Sequence, residues 1–214
     1  EETYTRLEAQ GKGFSDQTFF GVLIRMNKNR VKVFDGANIP NERWSKIFVH
    51  YFNLLVCQEL TKLAIWLQER LGIELTATQV ESISIDLTLK PAASLCELAT
   101  SIKRATSELQ IFVNNPESEQ CPRLSMAESP LRTFVESLES AELLDGQTVF
   151  CCIDEYENLY DYQQAALNTY VKHAEPPLSY KIGVRKNGFR NRQTIDGQDL
   201  LKVPDDYAEI EIVD

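Results

Sequence analysis

The fold of this chain follows from the stretch Val149-Phe150-Cys151-Cys152-Ile153-Asp154-Glu155. Its first residues form a short apolar run with β-branched and aromatic side chains, and the run ends in two adjacent carboxylates. Such a run predicts a strand that is buried on both faces of a parallel sheet. Because the turn signal Asp145-Gly146 precedes it and a helical pattern follows it, we predict an alternating α/β domain.

The two carboxylates at the end of this strand are candidate site residues. Open α/β sheets bind their ligands beyond the carboxyl ends of the strands, so Asp154 and Glu155 are expected at a ligand-binding edge. In a nucleoside triphosphatase, one carboxylate at such a position supports Mg²⁺ and a second orients the attacking water. The alternative is a strand that reaches solvent at two acidic residues and binds nothing there.

Composition narrows the class of partner. The chain has 214 residues and a net charge of −10, which argues against nucleic-acid binding by these residues alone. A local basic patch or a DNA-binding domain elsewhere is compatible with this charge. No apolar stretch reaches the roughly 18 residues of a membrane span, and we expect no secretory leader. The five cysteines form no CxxC pair. Buried thiols in a reducing cytoplasm explain them better than a metal site, and we predict a cytoplasmic protein without a membrane partner.

Hydrophobic periodicity predicts the remaining elements. The predicted strands are residues 19–26, 81–89, 179–185 and 208–212. Residues 31–34 either form a hairpin with the first strand or belong to an extended excursion. The predicted helices are residues 40–71, 91–113, 131–144 and 161–174, with Gly72 ending the first.

These elements predict one domain over residues 1–214, an α/β three-layer sandwich with a mostly parallel sheet and a helical insertion. Its parts are a leading segment at 1–18, a strand with long helices and the insertion at 19–113, a mobile loop at 114–128, and the acidic strand with the strands after it at 129–214.

Residues 149–159 resemble the Walker B strand of the AAA+ ATPases. The resemblance is strongest to the origin-recognition and replication-initiator branch, and extends to the related signal-transducing (STAND) ATPases. Those proteins carry four apolar residues, Asp, Glu, and then a nearby acidic residue and Leu, as in residues 150–155 with Glu157 and Leu159 here. The resemblance covers about residues 19–212 and is specific for 149–185. It implies a P-loop ATPase core with ATP and Mg²⁺ as cofactors, in which Asp154 supports Mg²⁺ and Glu155 is the catalytic carboxylate.

The next strand, residues 180–184, looks like the family strand whose end carries a residue that senses the γ-phosphate. That residue is usually Asn, Ser or Thr, and this chain has Arg185. The Arg185 guanidinium could contact a γ-phosphate. It could equally pair with Glu155 or Glu157 in a site that no longer hydrolyses ATP.

A basic loop follows this strand. By the resemblance, Phe189, Arg190 and Arg192 would lie where the nucleotide or a partner subunit approaches, and an arginine finger is one role for them; a solvated loop is the other. The phosphate loop GxxxxGK[ST] occurs nowhere in these residues. The resemblance places it, with the first strand of the core, before Glu1.

Two functions therefore stay open. The first is an ATP-binding and ATP-hydrolysing domain of a larger switch or remodelling protein, which self-associates or joins a larger complex, associates with DNA through other domains, or serves in a defence or signalling assembly. The second is a non-catalytic α/β interaction scaffold with a vestigial ATPase site. Adjacent acids repel without a cation, which favours the first function. The missing phosphate loop favours the second function if Glu1 is close to the true N-terminus. A metal-dependent nuclease would also need clustered carboxylates, but its Asp and Glu-x-Lys pattern is not found in a suitable context.

Overall fold

The computed structural model describes residues 17–212, so most of the predicted leading segment lies outside the described residues. The strands are β1 (Phe19–Arg25), β2 (Thr148–Asp154) and β3 (Leu178–Ile182). The helices are α1 (Lys28–Val31), α2 (Asn41–Leu71), α3 (Ala77–Asp86), α4 (Leu95–Asn114), α5 (Ser129–Ser140) and α6 (Asp161–Lys172), and a 3₁₀ turn spans Tyr156–Asn158.

The described strands form one parallel sheet in the order β1-β2-β3. Ile24 of β1 lies beside Ile153 of β2, and Ile153 lies beside Ile182 of β3. This arrangement confirms the predicted α/β fold with a parallel sheet and is consistent with a three-layer P-loop-like core. Because all three strands run in the same direction, their carboxyl ends meet at one edge of the sheet.

The packing is organised by the long helix α2, which contacts β1, α4, α5 and α6. Its predicted end is confirmed: Gly72 has φ 70° and ψ 20°, and its N–H donates to the Gln68 carbonyl at 2.9 Å. The left-handed conformation is one that glycine adopts without a steric cost, which is why the helix stops there. No helix among residues 17–212 is long and apolar enough to cross a membrane.

Burial of β2 differs from the prediction of a strand covered on both faces. Val149, Cys151 and Ile153 are fully buried against the helices, whereas Phe150 and Cys152 on the opposite face are only half-buried. On that face, Phe19 of β1 is 47% exposed. The described helices therefore cover one face of the sheet more completely than the other, and apolar residues on the second face made the run continuous in sequence.

The strand predicted at residues 81–89 is wrong, because this segment belongs to helix α3. Its N-terminus has a capping box: the Gln79 N–H donates to Thr76 Oγ1 at 3.3 Å, and the Thr76 N–H donates to Gln79 Oε1 at 2.8 Å. Val80 and Ile83 are buried at helical spacing, while Ile85 is 55% exposed. Apolar and polar residues also alternate in this segment, as they would in a strand. The capping box favours the helical period over the alternating one.

The strand predicted at residues 208–212 is also wrong, and the hairpin considered for residues 31–34 is not formed. Residues 28–31 form the short helix α1, capped where Asn27 Oδ1 accepts the Asn29 N–H at 3.0 Å, and no hairpin forms with β1. Residues 208–212 contain no strand, and Ile210 and Ile212 are 88% and 89% exposed. Alternation alone does not make a strand where no neighbouring strand supplies hydrogen bonds.

The predicted loop at 114–128 is nearly free of regular structure, since α4 ends at Asn114. The end of the loop is attached to the core by side chains: Asn53 Nδ2 donates to the Met126 carbonyl at 2.7 Å and to Ser125 Oγ at 2.9 Å. Tyr170 of α6 donates its hydroxyl proton to Asn53 Oδ1 at 2.8 Å. A buried polar network therefore joins α2, α6 and the end of this loop.

Candidate functional site

The acidic pair Asp154 and Glu155 lies at the carboxyl edge of the sheet, beside the ends of β1 and β3. Asp154 is the last residue of β2, Glu155 follows it, and Arg25 at the end of β1 lies beside Asp154 in the register. The chain leaving β3 passes the same point, because the Gly183 N–H donates to the Ile153 carbonyl at 2.7 Å and the Tyr156 N–H donates to the Gly183 carbonyl at 3.2 Å.

Asp154 is held through one carboxylate oxygen. Its Oδ1 accepts the Glu155 N–H at 2.9 Å, and its Oδ2 lies 3.9 Å from Arg25 Nε. The Asp154 side chain is 48% exposed. A Cβ at Gly183 would lie 3.1 Å from Asp154 Oδ1, so the glycine lets the backbone approach the carboxylate closely. The hydrogen bond to Oδ1 therefore orients Asp154, while the contact of Oδ2 with Arg25 is long for an ion pair.

Glu155 adopts a left-handed backbone conformation, with φ 60° and ψ 36°. This conformation costs a non-glycine residue roughly 1–2 kcal/mol, and such strain concentrates at functional sites. Its Oε2 accepts a hydrogen bond from Asn158 Nδ2 at 2.9 Å, and the same amide nitrogen donates to the Met26 carbonyl at 3.0 Å. Asn158 therefore orients the Glu155 carboxylate and joins it to the end of β1.

Sequence reasoning missed Asn158. The only signal was an amide placed three residues after Glu155. Its contact with Met26 bridges residues 132 positions apart, which only the folded chain brings together.

Arg185 lies in the loop beyond β3, because that strand ends at Ile182. Its Nε lies 3.2 Å from Glu157 Oε1, and its backbone N–H donates to Glu157 Oε2 at 3.4 Å. Of the two carboxylates considered from sequence, the structure pairs Arg185 with Glu157. The Arg185 side chain is 89% exposed and the Glu157 side chain is 20% exposed, so solvent screens this pair mainly from the arginine side. If the guanidinium leaves, Glu157 still accepts the backbone N–H of Arg185.

Arg190 and Arg192 are held by other groups. Arg190 donates to the carbonyl of Glu157 at 3.0 Å and to the carbonyl of Leu159, and its Nε lies 3.2 Å from Asp161 Oδ1. Arg192 lies 3.5 Å from Glu209 Oε1, at the surface. Arg190 thus contacts the turn after Glu155, whereas the ion pair of Arg192 points it toward residue 209.

Three buried amides on α6, also missed from sequence, hold the segments around the acidic pair. Gln163, Gln164 and Asn168 are each 0% exposed. Gln163 Nε2 donates to the Val31 carbonyl at 2.9 Å, and Asn168 Oδ1 accepts the Tyr156 hydroxyl proton at 2.8 Å. Burial raises the pKa of Tyr156, so this hydroxyl stays protonated and donates. Polar residues on the inner face of a helix were the available signal.

A family model described as ORC-CDC6-like matches residues 2–214. The chain belongs to the ORC-CDC6-like family. It is therefore an AAA+ ATPase-like domain, and membership supports nucleotide binding and oligomeric assembly. No curated protein and no solved structure matches the chain.

ORC-CDC6-like proteins generally bind ATP with Mg²⁺, and the carboxyl edge of the sheet fits this pair. Protein-bound Mg²⁺ uses one or two carboxylates and completes its shell with water and substrate phosphates. Asp154 offers one such carboxylate, oriented by the Glu155 N–H and approached only distantly by Arg25. Among the described residues, no three His, Cys, Asp or Glu side chains form a cluster that could hold a metal.

Proposed function

We propose that this chain carries the acidic half of an ATP-hydrolysing site in a larger, cytoplasmic switch or remodelling protein. The observation that supports the proposal is the position of Asp154 and Glu155 at the carboxyl end of β2, between the ends of β1 and β3. Ligands of open α/β sheets bind at this edge. Family membership supports nucleotide binding. The acidic pair has the residue types that phosphoryl transfer needs.

In this proposal, Asp154 supports Mg²⁺, which neutralises charge on the phosphates when it is bound. Glu155 accepts a hydrogen bond from the attacking water and orients it toward the γ-phosphate. Asn158 holds the Glu155 carboxylate by its 2.9 Å hydrogen bond. These roles need positioning and electrostatic complementarity, which a rigid strand end provides.

The basic residues have supporting roles in the proposal. Arg185 leaves its exposed pair with Glu157 and contacts the γ-phosphate. Arg190 and Arg192 lie on the loop that approaches the nucleotide or a neighbouring subunit. For Arg190 this role requires release of its hydrogen bonds to the Glu157 and Leu159 carbonyls.

The test is a Glu155→Gln variant of the intact protein that contains these residues. Glutamine keeps the shape of the side chain, but its neutral amide oxygen accepts a hydrogen bond from water more weakly than a carboxylate does and cannot take up the proton. We expect MgATP binding, measured by calorimetry, to stay within about threefold, while phosphate release slows by about 100-fold or more. Glu139→Gln, an exposed carboxylate on α5, is the matched control and should leave both quantities unchanged.

A scaffold without catalysis is the second candidate, and one observation favours it. Arg185, which the resemblance compares with the γ-phosphate sensor of the family, is paired with Glu157. If the intact protein binds no MgATP, or if Glu155→Gln hydrolyses ATP at the unaltered rate, the catalytic proposal is wrong. A protein that binds nothing at this edge would then act through its surfaces, in a DNA-associated, defence or signalling assembly.

A further inference from the structure

Gln164 is a buried side chain that contacts two separate segments near the acidic pair. Its Oε1 accepts the backbone N–H groups of Arg190 at 2.9 Å and Asn191 at 3.0 Å. Its Nε2 donates to the Gly188 carbonyl at 2.8 Å and lies 3.5 Å from the Tyr156 carbonyl. One amide therefore joins residues 188–191 to the turn that begins directly after Glu155.

Asn168, one helical turn further along α6, extends the same attachment. Its Nδ2 donates to the carbonyls of Asn191 and Gln193, each at 2.8 Å. Its Oδ1 accepts the hydroxyl proton of Tyr156, whose ring lies on the turn. Each amide thus contacts Tyr156 of the turn at 156–158 and at least two backbone groups of the loop at 188–193.

The loop also contacts the turn directly. Arg190 donates to the carbonyl of Glu157 within the turn and to the carbonyl of Leu159 directly after it. Gly188 packs so closely that a Cβ there would lie 2.6 Å from Glu157 Cβ and 2.9 Å from the Arg185 carbonyl oxygen. A side chain at position 188 would therefore clash with the turn, so this close approach of loop and turn requires glycine.

We propose that Gln164 is a positioning residue that makes the turn at 156–158 and the loop at 185–193 one rigid unit. Glu155 precedes this unit on the turn side, and Arg185 belongs to its loop side. Their relative position is then set by α6 rather than by either segment. The catalytic consequence rests on the proposed function. In that function Glu155 orients the attacking water and Arg185 contacts the γ-phosphate, and the unit fixes these two residues relative to each other.

The first test compares Gln164→Met with Gln163→Met in the full chain. Both amides are fully buried neighbours on α6, but Gln163 bonds to Val31 and Tyr160 instead of the turn and loop. We expect hydrogen exchange at the Arg190 and Asn191 amides to accelerate about tenfold in Gln164→Met, because each loses its acceptor. Gln163→Met should leave these two amides at the wild-type rate. Unchanged protection in Gln164→Met, or equal acceleration in both variants, would overturn the proposal.

The second test measures ATP turnover by the same two variants in the intact protein. We expect Gln164→Met to lower kcat about tenfold or more with KM changed less than about twofold, since a misplaced carboxylate affects the chemical step. An unchanged kcat in Gln164→Met, beside a wild-type protein that hydrolyses ATP, would overturn the catalytic part of the inference.

The two proposals fail in different ways. A wild-type protein without ATP turnover refutes the proposed function, and the exchange comparison still decides whether the rigid unit exists. If Gln164→Met does not fold, Arg190→Lys tests the same unit from its partly exposed side, since lysine cannot reach both carbonyls at once. Faster exchange at the Asn158 and Leu159 amides is then expected, and wild-type exchange at both would overturn the proposal.

Discussion

Acid should destabilise this protein through one buried histidine. His50 of α2 is 1% exposed, and its Nδ1 accepts the backbone N–H of Ser125 at 3.1 Å and lies 2.8 Å from Ser125 Oγ. A nitrogen that accepts a hydrogen bond cannot also carry a proton. Burial lowers the pKa of His50 from 6.5 to about 4. The folded state therefore keeps this imidazole neutral over a range in which the unfolded chain protonates it.

The sign and size of the effect follow from this pKa difference. Below pH 6.5 the unfolded state takes up a proton, and the folded state does so only below about pH 4. The free energy of unfolding is thus unaffected by His50 above pH 6.5 and falls as the pH drops from 6.5 to 4. At about 1.4 kcal/mol per pH unit, the loss approaches about 3 kcal/mol, with about 2.5 kcal/mol reached by about pH 4.5.

The measurement is urea unfolding followed by circular dichroism between about pH 7.5 and about pH 4.5, for wild type and His50→Asn. The Asn side chain places an oxygen near the position of Nδ1 and does not titrate, so the difference between the two pH profiles isolates His50 from the carboxylates. Wild type should lose about 2.5 kcal/mol more than the variant over this range. Parallel profiles would refute the reasoning.

A direct check is available because the chain has only two histidines. Imidazole signals followed by NMR should show one residue titrating near pH 4, assigned to His50 by its loss in His50→Asn. A midpoint near 6.5 for His50 would show that burial and the Ser125 hydrogen bond do not keep it neutral.

Three further predictions concern the site, a helix end and the core. Gly183→Ala should weaken Mg²⁺-dependent ATP binding about tenfold or more in calorimetry, because its Cβ would lie 3.1 Å from Asp154 Oδ1 and displace that carboxylate; binding equal to wild type would show that the close approach is unimportant. Gly72→Ala should lower the free energy of unfolding by about 1 kcal/mol, because residue 72 has φ 70° at the end of α2 and open space around it leaves backbone strain as the only cost; an unchanged urea midpoint would contradict this. Leu60→Ala should cost about 2–5 kcal/mol in the same experiment, because Leu60 is fully buried where α2 meets the core; a loss below about 1 kcal/mol would mean that its neighbours close the cavity.

Long, strongly patterned elements were predictable because their local signals agree with their burial. The apolar run ending at Asp154 predicted β2, and the broad apolar face from Asn41 with Gly72 behind it predicted α2. In each case the local pattern has only one period that buries its apolar residues. The predictions failed where two periods fit, as at residues 81–89, or where the described residues provide no partner strand, as at 208–212.

Helix α3 shows what tertiary contacts add to an ambiguous segment. Its cap residue Gln79 donates to Ser140 Oγ at 2.9 Å, and Asp86 at its other end accepts protons from Ser129 at 2.9 Å and Thr133 at 2.6 Å. The three partners, Ser129, Thr133 and Ser140, all belong to α5. Packing against α5 therefore favours the helical period over the alternating one.

The candidate site divides in the same way. The sequence by itself determined that Asp154 and Glu155 stand together at the end of a buried strand, because that arrangement is a property of adjacent residues. Only the tertiary structure decided that Arg185 pairs with Glu157 and that Gln164 binds the turn to the loop. It also decided that Asn158, which orients Glu155, is bonded to Met26 at the end of β1. These contacts join residues that are distant along the chain or separated by a strand. Their partners are chosen by the packing of β1, β3 and α6 around β2, which no local pattern specifies.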